Sequence, residues 1–366
     1  LEAAYDFREV RPPLNNARGL WRWNALLPPA GATFRVSLGE GRTPLLPIAS
    51  GREGLRPLLK NETANPTWSW KDRPNCVSVS MACQFGFRRT AAISTGNHGC
   101  AAAAYSAAAG IDCVVFCHAG APASQLALMA SYGARIIRGG DLEALFRQLL
   151  GRGYHFPCII FCPRAGYANP FGIEGFKTIA FEIYEQLDHS IPDRVFVPTG
   201  SGDGIYSAWK GFRELRELGW TEKVPKMIAC QASGADSAFR AFNRRSQHTE
   251  PLDSASTIAL SIAERITGDH ALRAVYQSGG SVLTCSDEET LTAMRFLMRQ
   301  GFAFEPASAV ALACLQKVAR EWIAGETWVI IGSGAAVKWS TMTDGFEMPR
   351  LWGPDVANVD EVCGSQ

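Results

Sequence analysis

Eleven cysteines occur in the chain, yet no Cys-x-x-Cys pair does. That absence argues against zinc-ribbon and thioredoxin-type chemistry. The closest pairs, Cys113/Cys117 and Cys158/Cys162, each enclose three residues and lack a second half for a metal site. Most cysteines sit in apolar runs such as CVVFC and CIIFC, where the thiol behaves as a small hydrophobe. Free thiols in a reducing cytoplasm are therefore expected, with no metal. An excess of either charge is also missing: 36 Lys and Arg stand against 35 Asp and Glu, a net +1. No global field favours nucleic acid or an anionic membrane, and the expected partner is a small molecule. No apolar run approaches the length of a membrane span. No basic-then-apolar leader opens the sequence, and since it begins at Leu1, residues before it are expected. Fixed-period repeats and low-complexity tracts are absent.

What the chain does have is apolar content and alternation. Hydrophobic residues make up 47% of 366, enough for a large core in two domains or lobes. Short apolar runs alternate with Ala- and Leu-rich helical stretches. TAAIS (90–94), DCVVFC (112–117), ARIIRG (134–139), CIIFC (158–162), RVFVP (194–198), KMIAC (226–230) and TWVIIG (327–332) read as strands. Helices are expected between them, at about 100–110, 124–133, 142–150 and 205–218, with another after KMIAC. Strands buried on both faces appear as continuous Val/Ile runs, and strand–helix alternation predicts a parallel sheet. The class is α/β. The polar stretch 240–256 reads as a loop and 351–366 as a poorly ordered tail.

In open α/β sheets, ligands bind where a strand hands over to a helix. Four such places stand out. STGNHG (94–99) offers side-chain hydrogen bonds and a helix start, which suits a carboxylate or phosphate, although it also fits an ordinary cap. TGSGDG (199–204) packs three glycines into six residues, so backbone amides can converge on a phosphate. It is no Walker loop, because Gly-Lys-Ser/Thr is absent, and Asp203 must turn its carboxylate away from an anion. GSGAA (332–336) invites a dinucleotide reading but lacks the third glycine of GxGxxG. Finally, NPTWSWKDRP (65–74) reads as a turn into a helix, with Thr67 or Ser69 as N-cap and Lys71 in the first turn. A helix start disfavours a cation, and Trp68 and Trp70 flank the lysine. The placement suits an amine that must react in its neutral form. The plain alternative is a surface lysine paired with Asp72.

The ordered set is more specific than any member. It resembles the tryptophan-synthase-β-like (fold type II) enzymes that use pyridoxal phosphate, and within them threonine synthase. The lysine motif there is similar to NPTGSFKDR, against NPTWSWKDR here. LWRWNALLP (20–28), GRTPLLPI (41–48), NPFGIEGFKTIAFEIYEQL (169–187), SAWKGFREL (207–215) and EPASAVALA (305–313) also resemble segments of that family, so the resemblance runs from about residue 20 to 338.

The resemblance implies two lobes, each a mostly parallel sheet wrapped by helices. A large cofactor domain would span 1–85 and 187–366, and a small mobile domain 86–186 would close on the substrate. Lys71 would be the catalytic Schiff-base lysine and proton shuttle. Gly200, Ser201, Gly202, Asp203 and Gly204 would hold the cofactor phosphate, Asn97 its phenolic oxygen and Ser333 its ring nitrogen. Ser94, Thr95, Gly96, Asn97 and His98 would hold the substrate carboxylate, and Lys177 would add a cation. A homodimer is implied.

Departures are informative. The family pattern NP-x-R-x-x-G-Q-K-T has Gly172 at its arginine and Phe176 at its glutamine. That arginine grips the phosphate of O-phosphohomoserine, a fork-type contact worth about 1.5–3 kcal/mol. Trp68 stands at a family glycine and adds bulk beside Lys71. The expected activity is β/γ-elimination or replacement on a small amino acid in a remodelled pocket. An ammonia-lyase or dehydratase acting on serine, threonine or diaminopropionate is the alternative. A synthase of an unusual amino acid follows, and a non-catalytic ligand binder is opposed by the intact Lys71.

Overall fold

The computed structural model describes residues 3–7, 10, 19–94, 96–157 and 169–338. Strands β1 (Leu45–Pro47) and β2 (Leu58–Asn61) lead into helix α1 (Asp72–Gln84). Next come β3 (Arg89–Ile93), α2 (Asn97–Ala108), β4 (Asp112–Cys117), α3 (Ala123–Ser131), β5 (Arg135–Arg138) and α4 (Leu142–Arg147). After α5 (Gly172–Gln186) follow β6 (Arg194–Pro198), α6 (Asp203–Glu217), β7 (Lys226–Ala232), α7 (Ser237–Asn243) and α8 (Asp269–Gln277). The last elements are β8 (Ser281–Cys285), α9 (Asp287–Met298), α10 (Pro306–Val318) and β9 (Trp328–Gly332). No described helix is long and apolar enough to cross a membrane.

The strands form two sheets. One has the order β1-β2-β9-β6-β7-β8, and the other β3-β4-β5. Every pairing is parallel except β1 with β2. The period of two along each strand sends alternate residues to opposite faces. Val195, Val197, Met227, Val329 and Ile331 meet α5, α6 and α8 on one face of the large sheet. Phe196, Ile228, Cys230 and Ile330 meet α9 and α10 on the other. Each such side chain contributes about 1.5–3 kcal/mol when fully buried. The small sheet is sandwiched likewise. Ala92, Val115 and Cys117 face α2 and α3, while Ala91, Val114 and Phe116 face Leu142 and Phe156. The alanine-rich run in α2 is a packed helix, buried from Cys100 through Ser106.

Several expectations need correction. The polar stretch from residue 240 is helical up to Asn243, because Ala238 and Ala241 are buried in the core and override their polar neighbours. Helix α5 packs on α1 and α6. There the carbonyls of Arg73 and Lys177 leave no room for a Cβ on Gly175 or Gly211. Strands β1, β2 and β8 escaped the sequence reading. The CIIFC strand and the tail 351–366 lie outside the described residues.

Candidate active site

Lys71 is the N-cap of α1, with φ −65° and ψ −14°, one residue ahead of the first turn. Its two followers fix it. Asp72, fully buried, accepts hydrogen bonds from the Thr67 amide at 2.9 Å and the Thr67 hydroxyl at 2.8 Å. Burial pushes its carboxyl up to about 7, against the pull of the Thr67 bonds. Asp72 therefore serves the turn, not Lys71. Arg73, also fully buried, donates to Glu62 (2.6 and 2.8 Å) on one side and Glu182 (2.9 and 2.8 Å) on the other. Lys60 of β2 completes a buried tetrad at 2.8 Å from Glu182. Burial raises the Glu182 carboxyl, but the Arg73 and Lys60 charges outweigh it and hold it well below the carboxylate range. The tetrad ties α1 to β2 and α5, so the backbone at Lys71 is clamped from both sides.

The rings beside the Lys71 ammonium are Phe176, at 5.2 Å, and Trp70, at 6.0 Å. Trp68 does not crowd it as expected. Its backbone is left-handed (φ +58°), which turns the side chain outward to 42% exposure. A family glycine at this position answers the same backbone demand. Two hydrogen bonds stitch this loop to the turn after β9: Trp70 N–H to Ser333 O (2.9 Å) and Ala335 N–H to Trp68 O (3.0 Å). Ser333 is thereby brought to the lysine loop. Its hydroxyl is buried 3.0 Å from that of Ser308.

The β6–α6 loop approaches from the opposite side. Gly202 is left-handed (φ +97°) and caps α6, and a Cβ on Gly204 would run into the Trp70 ring. Among the described residues, no acceptor pairs with the amides of Gly200, Ser201 or Gly202. Unpaired buried amides are costly, so a cradle of them calls for an anion. Asp203 turns its carboxylate aside, as the sequence required, to His270 Nε2 (3.0 Å) and the Ser201 hydroxyl (3.3 Å). Burial raises this carboxyl, yet His270, Lys71 and Ser201 together bring it below its ordinary value.

The β3–α2 turn supplies the third wall. Ser94 is tied to β4 through its amide, and its hydroxyl accepts the Gly96 amide at 3.2 Å. Asn97 Nδ2 donates to Glu305 at 2.9 and 3.0 Å, leaving Oδ1 buried without a partner. His98 Nδ1 lies 3.3 Å from Asn75 Nδ2, and Nε2 has no partner. Burial, reinforced by the Lys71 charge, lowers His98 to about 3, so the imidazole is neutral. Thr95 lies outside the described residues.

Lys177 is not part of this group. Its side chain is fully buried between α5 and α6, 2.5 Å from Glu174 and 2.8 Å from Glu214, with Lys210 beside it. Tyr5 closes over the cluster and donates to Glu174 at 2.9 Å. Two carboxylates already consume the cation, which corrects the expectation that it meets substrate. Sequence reasoning missed His270, Glu305 and the placement of Phe176. The only signals were the Phe176 departure and the EPASAVALA segment.

A family model described as pyridoxal-phosphate dependent enzyme matches residues 36–334. The chain belongs to that family. The pyridoxal-phosphate-dependent enzymes it resembles in sequence include threonine synthases. That of Methanocaldococcus jannaschii is 37% identical over 92% of this chain and 86% of its own length. That of Methanosarcina acetivorans is 34% identical over 99% and 91%. Among solved structures, maize serine racemase aligns with a TM-score of 0.69 at 20% identity, over 81% of this chain and 89% of that one. The processed threonine deaminase isoform 2 of Solanum lycopersicum gives 0.69 at 19%, over 88% and 91%. At that identity these structures speak for the fold, which is fold type II. The chain is thus a threonine synthase-like pyridoxal-phosphate enzyme. Its site fits the cofactor: the amide cradle suits a phosphate, and the Lys71 side-chain amine has no hydrogen bond or ion pair among the described residues. Asn97 and His98 add two orphaned polar atoms.

Proposed function

We propose that this enzyme carries out elimination or replacement at the β- or γ-carbon of a small amino acid, with Lys71 as its catalytic residue. The observation that carries the reading is the clamped, unpaired Lys71 between the amide cradle and the β3–α2 turn. When bound, pyridoxal phosphate supplies the electron sink that makes the substrate Cα–H acidic. Lys71 would hold the cofactor through its amine and move the proton at Cα. Gly200, Ser201, Gly202, Asp203 and Gly204 hold the phosphate through their amides and the start of α6. Ser333 would face the ring nitrogen with a neutral hydroxyl, which would favour elimination over transamination. Asn97 takes the phenolic oxygen. Ser94, Thr95, Gly96, Asn97 and His98 take the substrate carboxylate at the start of α2.

The relatives named threonine synthase favour replacement. The site chemistry adds an alternative. Arg73 is spent on Glu62 and Glu182, Arg265 donates to the Leu252 carbonyl, and Gly172 supplies no side chain to grip a phosphate leaving group. An ammonia-lyase or dehydratase acting on serine, threonine or diaminopropionate fits such a pocket. The same family-level reading extends to closure of the β3-β4-β5 lobe over substrate, to a homodimer and to a cytoplasmic setting.

The test is spectral and chemical. Purified protein with pyridoxal phosphate should gain an absorbance band near the visible edge that Lys71→Ala abolishes. Release of ammonia and a keto acid from serine, threonine or diaminopropionate marks the lyase, and phosphate release from O-phosphohomoserine marks the synthase. Absence of the band in the wild-type protein ends the enzyme reading.

A further inference from the structure

We propose that Glu264 is the proton donor to the leaving group, an assignment that rests on the elimination reading above. Glu264 follows the short 3-10 turn Leu260–Ile262, in a segment pinned to the cofactor side of the site. The Thr267 hydroxyl donates to Gly200 O at 2.8 Å, and the Gly268 amide to Ser201 O at 2.8 Å. A Cβ on Gly200 would lie 3.1 Å from Glu264 Cγ. At its other end the same segment reaches Asn97, whose Nδ2 is 3.4 Å from the Ser261 hydroxyl. Glu264 therefore lies beside the phosphate cradle, three residues from the serine that reaches the β3–α2 turn.

Its carboxylate is also the one left over. Asp72 serves Thr67, Asp203 serves His270, and Glu305 serves Asn97. Glu264 accepts no hydrogen bond among the described residues. Its side chain is exposed to solvent. Crowding by nearby protein atoms and the Asp203 charge raise its carboxyl, against the pull of Lys71 and His118. Hydroxyl and amine groups leave poorly as anions, and a positioned acid contributes about 10²–10⁴-fold.

The step balances as follows. Lys71 removes the Cα proton, and the Cα–H electron pair becomes the Cα=Cβ bond. The Cβ–O or Cβ–N bond breaks with its pair on the heteroatom. That atom takes the Glu264 proton and departs as water or, from an amine bound in its neutral form, as ammonia, and solvent reprotonates Glu264.

The experiment compares wild-type holoenzyme with Glu264→Gln on L-serine, L-2,3-diaminopropionate and β-chloro-L-alanine, whose chloride needs no proton. Cofactor affinity is read in parallel by absorbance titration. We expect kcat/KM to fall about 100-fold on serine or diaminopropionate. On β-chloroalanine it should change less than about threefold, with cofactor affinity unchanged. Equal losses on both classes, no loss on the poor leaving groups, or weakened cofactor binding would each overturn the assignment. A holoenzyme that shows the cofactor band but is inert to all three amino acids overturns the elimination reading itself, and this assignment with it.

Discussion

Trp68 shows how much one dihedral angle can redirect a reading. From sequence, a tryptophan three residues before the reactive lysine looks like bulk in the pocket. At φ +58° it faces outward, and Trp70 and Phe176 take its place beside the ammonium. The left-handed backbone costs an L-residue about 1–2 kcal/mol. Trp68→Gly should therefore be more stable than Trp68→Ala by about 1 kcal/mol, a difference that isolates the backbone because both variants lose the ring. Paired urea titrations measure it, and equal stabilities would remove the strain argument. Lys177 was misread for a related reason. It sits next to Phe176 in sequence, but on α5 adjacent residues point to different sides, and its side chain meets Glu174 and Glu214 instead.

At the scale of elements, α1 is the part that makes the site possible. Its first residues carry the Asp72–Thr67 bonds on one side and the Arg73 tetrad on the other. Removing one partner of a buried pair costs about 3–5 kcal/mol, since the other charge is left stranded. Glu182→Gln should lower stability by about that much, read by thermal or urea unfolding. A cost below about 1 kcal/mol would mean the tetrad holds little. The strands that were legible in sequence are those with uniform apolar runs, such as β6 and β9, buried on both faces. Strand β2 was not, because Lys60 interrupts its apolar run. That lysine is buried only because Glu182, far along the chain, neutralises it. The glycine loop and the β3–α2 turn were readable because they follow such strands. Glu264, on a loop, and His270, at the start of α8, were not, since no local pattern marks a residue that reaches the site by tertiary packing.

Across the whole molecule, the two sheets are joined by polar contacts as well as apolar ones. His155, paired through its backbone with β3, meets Ser78 of α1 at 2.8 Å, and Asn169, ahead of α5, donates to Ser78 at 2.7 Å. Burial lowers His155 to about 4, below the roughly 6.5 of an unfolded histidine. The unfolded chain then binds more protons between those values. The His155 contribution is full above about pH 6.5 and is lost as pH falls through about 4. Asp72, raised to about 7, runs the opposite way, contributing at low pH and losing ground as pH rises through 7. The clean measurement is therefore a difference. The stability gap between wild type and His155→Gln should narrow by about 2 kcal/mol from pH 7.5 to 4.5. A constant gap would show that His155 does not titrate abnormally.

Over generations, the tetrad acts as a ratchet. Lys60, Arg73, Glu62 and Glu182 are neutral only as a set, and all four are closed off from water. A single-letter change in any of them strands a charge, so drift through one mutation at a time stalls at this point of the chain. Trp68, a few residues away and open to solvent, meets no such barrier. Descendants of this sequence can vary this exposed position while the lysine beyond it stays where it is.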